Sequence, residues 1–157
     1  MTESQRNEPY EEPPFDQIAG ISRMHVEAME AGVDEAWVGA GMKQLILRTV
    51  GRKSGNEHKV ALPYWVDDDG NKIVVGSYAG AKNHPHWYLN LVDRDANPEV
   101  LVRTREGSQW ADAEVLDGDE YTRIWDALTA DREYYRDYQT RTDRRLPLVR
   151  LRELRPA

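Results

Sequence analysis

Leu45-Ile46-Leu47-Arg48-Thr49-Val50-Gly51-Arg52-Lys53-Ser54-Gly55 is a short apolar run that breaks into a cationic turn, and the apolar pattern resumes at Val60-Ala61-Leu62-Pro63-Tyr64-Trp65-Val66. Two β-prone runs on either side of a glycine-bearing turn read as a hairpin, Leu45–Thr49 and Lys59–Val66, with no room for a crossover helix. Two glycines free the turn to take positive φ. Arg52, Lys53 and the Ser54 hydroxyl then bring several donors to one concavity, which is how backbone N–H groups and charge-assisted bonds hold a phosphate or carboxylate. The alternative is a solvated hairpin loop kept basic for solubility.

Outward from this hairpin, the chain keeps folding back on itself. Asp68-Asp69-Gly70 turns the second strand into Ile73–Tyr78. Pro85 opens a helix at its first position, and that helix ends before Asn97-Pro98. Glu99–Thr104 and Gln109–Leu116 form a further hairpin around Glu106-Gly107-Ser108. A helix from Gly118-Asp119 follows, with Tyr121, Ile124, Trp125 and Leu128 on one face, then an aromatic segment, Tyr134 to Tyr138, and a last strand, Leu146–Leu151. Upstream, Phe15–Gly32 has Ile18, Ile21, His25, Ala28 and Met29 at helical spacing, with Gly32 as its C-terminal cap. The order α-ββ(β)-α-ββ-α-β, built of hairpins, predicts a mostly β protein: a split antiparallel β-barrel with peripheral helices.

The 157 residues suit one domain over 15–157, preceded by an acidic, proline-bearing tail at 1–14 that is expected to be disordered. Cysteine is absent, and no apolar run approaches the roughly 20 residues of a membrane span, so a cytoplasmic protein without integral membrane contact is expected. A net charge of −7 argues against a nucleic-acid partner. Its distribution is uneven. Residues 43–59 carry five Lys/Arg against Glu57, and residues 141–155 carry six Arg against two acids. Such local patches suit a small anionic ligand, or, at the arginine-rich end, plain surface ion pairing.

Familiar catalytic signatures are missing. Gly39-Ala40-Gly41 lacks the third glycine of a dinucleotide fingerprint, and Gly51–Gly55 is too short for a Walker loop. His84 and His86 have no third ligand at metal spacing, so no metal site is expected. No nucleophile elbow is present. An enzyme with no acid–base or nucleophile set of its own leaves the hard chemistry to a cofactor.

The residues resemble the deazaflavin (F420)-dependent nitroreductases of actinobacteria, which have the split β-barrel fold. The matching pieces are Thr49-Val-Gly-Arg-Lys-Ser-Gly55, Leu62-Pro63-Tyr64, the strand ending Gly76-Ser77, Lys82-Asn83-His-Pro85-His-Trp87-Tyr88-Leu89-Asn90-Leu91 and Asn97-Pro98-Glu-Val100. Tyr135-Arg-Asp-Tyr138-Gln139-Thr-Arg-Thr142-Asp143-Arg144 and Leu146-Pro147-Leu148-Val149 complete the match, which runs from Leu45 to Leu151, about two thirds of the chain.

The resemblance implies an F420H2-dependent reductase that passes a hydride from reduced deazaflavin to a planar, electron-poor acceptor: a nitroaromatic, a quinone or a conjugated enone. Arg52, Lys53 and Ser54 would hold the phosphate and acidic tail of the cofactor. Leu62, Pro63 and Tyr64 would lie along the ring, Ser77 and Gly80 would border its reacting face, and Trp87 and Asn90 would close the pocket. Tyr135 and Tyr138, neighbours on one helix face, would meet the acceptor, and with Ser77 they are the candidate catalytic hydroxyls. Packing roles compete with these assignments: Trp87 as core, and the two tyrosines as filling for the open barrel end. The chain departs from the family pattern at Tyr78-Ala79-Gly80, where a lysine and glycines are usual, and at Arg132, where a further tyrosine often stands. Two other functions share the fold: a carrier that binds F420 without turnover, and an FMN-dependent oxidoreductase with its site across a dimer. A monomer is expected on the F420 reading, with the dimer as its alternative.

Overall fold

The computed structural model describes residues 4–5 and 17–157. In chain order the elements are α1 (Ile18–Glu30), β1 (Gln44–Val50), β2 (Glu57–Pro63), β3 (Trp65–Val66), β4 (Lys72–Val75), α2 (His86–Val92), β5 (Val100–Thr104), β6 (Gly107–Val115), α3 (Gly118–Asp131), α4 (Tyr134–Thr140) and β7 (Leu148–Pro156). A 3₁₀ stretch that the hydrophobic pattern did not signal, Asp34–Gly41, joins α1 to β1.

All strand pairs are antiparallel, and their order across the single sheet is β2-β1-β5-β6-β7-β4-β3. The expected strand Lys59–Val66 is two strands. Its first part pairs with β1 and its second with β4, so β2 and β3 lie at opposite edges of the sheet although only Tyr64 separates them. Neighbouring strands are about 4.8 Å apart, so the edges of a flat seven-stranded sheet would be about 29 Å apart. One residue cannot span that distance; the sheet is rolled into a barrel whose edges meet at Tyr64. Pro63, which has no N–H to give a ladder, stands at the break. This is the split antiparallel barrel expected from the sequence.

Strand alternation divides the core. Leu45 and Leu47 of β1 point into the barrel with Val74, Val100, Val102, Val149 and Leu151, whereas Ile46 points outward to Val26 and Met29 of α1 and to Trp37. A second cluster packs Tyr121, Ile124 and Leu128 of α3 and Tyr135 and Tyr138 of α4 on Trp65, Ile73, Val75 and Leu148. The face read for α1 is turned slightly from expectation, since Ile21 is exposed and Val26 is buried. Its C-terminus is a Schellman motif: Val33 N–H bonds to Ala28 O and Gly32 N–H to Met29 O, with Gly32 at φ +86°.

β7 runs on through Arg152 and Arg155 to Pro156, and its arginines form ion pairs. Arg150 is buried against Asp67, with Glu114 and Glu120 in reach, while Arg152 meets Glu114 and Arg155 meets Glu99. The tail expected over 1–14 lies outside the described residues except for Ser4 and Gln5. Gln5 covers the short β3 edge: its side chain accepts from Val66 N–H (2.8 Å) and donates to Val66 O (3.0 Å).

Candidate active site

A cavity of about 590 Å³ opens where α1, β2, the Ser77–Ala79 turn, α2 and α4 converge. Residues 58 to 63 of β2 all line it without a gap. Strand side chains alternate between faces, so an unbroken run means that β2 turns its free edge to the cavity. That edge carries backbone N–H and C=O groups with no strand partner. Leu62, Pro63, Val75 and Trp87 give the same cavity an apolar wall, and Ser77, Asn90, Tyr135 and Tyr138 add hydroxyl and amide groups. A flat heteroaromatic ring with donors and acceptors along one side fits this combination, in a volume typical of cofactor and ligand sites.

The basic turn lies beside the cavity, and Arg52, Lys53 and Ser54 do not line it. Gly55 takes positive φ (+72°), as expected, but Gly51 serves a different need. A β-carbon there would come within 2.5 Å of Ser54 Oγ and 2.8 Å of His58 Nε2. Ser54 Oγ accepts the Asn56 N–H within the turn (3.1 Å), and Lys53 is exposed. Arg52 reaches the cavity through Asn90, whose Oδ1 accepts both the Arg52 N–H (3.3 Å) and its Nη1–H (2.8 Å). Asn90 Nδ2 donates to Thr49 Oγ1 (3.3 Å), so this buried amide ties α2 to the turn. Asn97, unassigned from the sequence, completes the tie: it takes the Val50 N–H at 2.7 Å and donates to Val50 O and Asn90 O at 2.8 Å each.

Two other expected residues stand off the cavity wall. Tyr64 is buried among barrel residues under the Lys72 ammonium (5.5 Å to the ring centroid), and burial, then the Glu106 charge, raises its pKa. Gly80 is behind the turn, where a β-carbon would overlap the Tyr138 carbonyl. The turn itself holds two non-glycine residues at positive φ, Tyr78 (+44°) and Ala79 (+53°). Each such residue costs about 1–3 kcal/mol and persists only where its surroundings enforce it. Arg144 does so, donating to Gly76 O (2.9 Å), Ser77 O (2.7 Å) and Ala81 O (2.8 Å). Its Nη1 also donates to Nδ1 of His84 (3.1 Å), a neutral imidazole held below its ordinary pKa by burial and then by the Arg144 charge. The sequence signalled Arg144 as part of an arginine-rich stretch and of the matching segment Tyr135–Arg144, without a role.

Tyr134, Tyr135 and Tyr138 form one aromatic cluster on the cavity, with centroid separations of 4.4, 5.6 and 6.0 Å. Burial raises the Tyr135 pKa, partly offset by the Arg132 charge, so the phenol is protonated at neutral pH and offers a donor. The mouth is charged. Arg23, Glu27 and Glu30 of α1 face His58 and Lys59 of β2, and Lys59 Nζ donates to Glu30 at 2.7 Å. The 4-then-3 spacing of residues 23, 27 and 30 marks one helix face, a signal that could have found them. Among the described residues, no three His, Cys, Asp or Glu come together as a possible metal site.

The model of the F420H(2)-dependent quinone reductase family matches residues 21–153. A Mycobacterium tuberculosis protein provisionally named an F420H(2)-dependent quinone reductase is 32% identical over 122 residues, which span 73% of this chain and 97% of that protein. A second F420H(2)-dependent quinone reductase from the same organism is 33% identical over 109 residues, 67% of this chain and 70% of that one. Among solved structures, an F420-H2 dependent reductase (FDR-A) superposes with a TM-score of 0.58 at 32% identity, covering 69% of this chain and 92% of its own. A second solved structure, described as a domain-swapped dimer, gives 0.60 at 28% identity and covers 88% of this chain and 99% of its own. The match over residues 21–153 and the shared barrel lead to one conclusion: this chain belongs to the F420H(2)-dependent quinone reductase family, oxidoreductases that draw on the reduced deazaflavin.

Proposed function

We propose that this chain reduces a planar quinone-type acceptor with F420H2, both molecules meeting in the cavity along β2. The observation that carries the reading is the edge-on approach of β2, residues 58 to 63, between an apolar wall and a helix of tyrosines. Bound F420H2 supplies the hydride.

The chain's own residues do the rest. Leu62, Pro63 and Trp87 give the ring system a flat apolar seat, and the free β2 edge offers amide groups to its polar side. Arg52, held by Asn90, and the exposed Lys53 and Ser54 beside it take the anionic phosphate and tail. Ser77, on the clamped turn, fixes one border. α1 and α4 cover the space and limit water. Tyr135 and Tyr138 direct hydroxyl donors at the acceptor, where they stabilise negative charge arriving on its oxygen. Tyr64 and Gly80 support the wall from behind. A site complete in a single protomer belongs to this reading, with a dimer as its alternative. Among the described residues no helix is long and apolar enough to cross a membrane, and the reading carries with it the cytoplasmic setting expected from the sequence.

Fluorescence titration with oxidised F420, run beside FMN, tests the assignment. Saturable F420 binding, weakened about tenfold or more by Arg52→Ala and by Lys53→Ala, is the expected result. It corresponds to about 1.5–3 kcal/mol for a hydrogen bond to a charged group. Preference for FMN would overturn the cofactor assignment, and binding of neither would overturn the function.

A further inference from the structure

Behind the tyrosine helix lies a cation in a place where a cation is costly. Arg132 caps α3, two residues before α4 begins, and is 1% exposed. Its Nη2 donates to Gln5 O at 3.2 Å, and its buried Nε has no hydrogen-bond partner. Among the described residues no carboxylate forms an ion pair with it; the adjacent Asp131 carboxylate takes the Gln5 N–H at 3.0 Å instead. The elements around Arg132 are the Gln5 segment, α3 and α4. The Tyr135 N–H bonds to the Arg132 carbonyl (3.3 Å), so Tyr135, 4% exposed, follows it by one turn and lines the cavity. Burying a guanidinium without a counter-ion costs several kcal/mol, and packing alone would be served by an apolar side chain of the same size.

We propose that Arg132 is a positioning residue for the reductive half of the reaction, its buried charge compensating the negative charge that Tyr135 takes on when it serves the reduced acceptor. The inference rests on the placement of Tyr135 at the acceptor given above and takes it one step further, from hydrogen-bond donor to proton donor. A quinone that has accepted a hydride (two electrons and one proton) is a hydroquinone anion. The Tyr135 O–H gives its proton to that oxygen, leaving a neutral hydroquinone and a phenolate, and water returns the proton to the phenolate. Without a cation, that buried phenolate would be strongly disfavoured. The direction of the charge effects agrees: burial raises the Tyr135 pKa, and Arg132 is the main influence opposing it. Of the other titratable or charged groups, Tyr134 and Tyr138 on α4 pack on the Tyr135 ring, Arg141 lies over the Tyr138 ring, and Asp131, next to Arg132 in sequence, is turned to the Gln5 N–H.

The test is the ionisation of Tyr135 itself, followed by NMR with ring-labelled tyrosine in the ligand-free protein and assigned with Tyr135→Phe. Arg132→Met and Arg132→Gln, which remove the charge, are expected to shift the midpoint upward. Arg132→Lys, which keeps the charge, is expected to leave it close to wild type. If the methionine variant does not fold, the glutamine variant, which retains amide donors, carries the comparison. In turnover, kcat falls by about tenfold in the neutral variants, less than the full loss of a general acid, while F420 affinity is retained. An unmoved Tyr135 midpoint in a folded neutral variant would reduce Arg132 to a packing element. Failure of F420 to bind the wild-type protein would remove the proposed function while leaving the Tyr135 titration readable.

Discussion

At the scale of single residues, the structure redistributes roles that the sequence had assigned to side chains. Asn90 had been read as a group for the cofactor, yet its Oδ1 is already occupied by two donors of Arg52, and its Nδ2 by Thr49. Its task is to hold a flexible cation in one rotamer, so that less side-chain entropy is lost on binding. Asn90→Ala should therefore weaken F420 binding about as much as Arg52→Ala. The double variant should be no worse than either single one, because residues in one network couple; titrations on the four proteins of the cycle check this, and simple additivity would contradict it. The basic turn was legible because its chemistry is local: three polar residues between two glycines, all within five positions. The ties made by Asn90, Asn97 and Arg144 were not, because their partners are 38, 47 and 60 or more residues away and no periodicity connects them.

Among the elements, the strand read as Lys59–Val66 shows where pattern reading stops. Apolar character continues through Pro63-Tyr64, so nothing in the pattern separates β2 from β3; the ladder partners do. The proline was the available sign, since it fits only edges and breaks within sheets. This break gives the site its shape by leaving β2 with a free edge against the cavity. The turn after β4 is the second shaping element. Tyr78 and Ala79 lie at positive φ, and Arg144 holds the carbonyls on either side. Arg144→Met should release the strained turn: kcat/KM for the acceptor should fall about tenfold or more, while F420 affinity changes by less than about threefold, because misplacement of a positioning group costs rate before affinity. Steady-state kinetics and cofactor titration on the same preparation separate the two, and equal loss of both would place the turn in cofactor binding instead.

For the whole molecule, barrel closure and acid stability depend on groups far from the cavity. The hairpin order made the barrel legible, whereas its closing seam at Tyr64 and the ion network that joins its outer layer were set by contacts distant in sequence. Arg150 of β7 is that network's centre. It reaches Asp67 in the β3–β4 turn (3.0 Å), Glu120 at the start of α3 (2.5 Å) and Glu114 on β6 (3.6 Å). Hydrogen bonds from Arg123 and then Arg150 hold the Glu120 carboxyl far below its ordinary 4.5, at about 2. A carboxyl depressed in the folded state binds fewer protons there than in the unfolded chain, so its contribution is present above the unfolded value and declines as pH falls through the folded one. The window is therefore pH 4.5 down to about 2. Urea unfolding of wild type and Glu120→Gln across this range should give midpoints that differ above pH 4.5, with wild type the more stable, and converge as pH approaches 2. The group is solvent-facing, so salt should narrow the difference. A constant gap across the whole range would mean that Glu120 acts through the shape of its contacts with Arg150, with its ionisation contributing nothing.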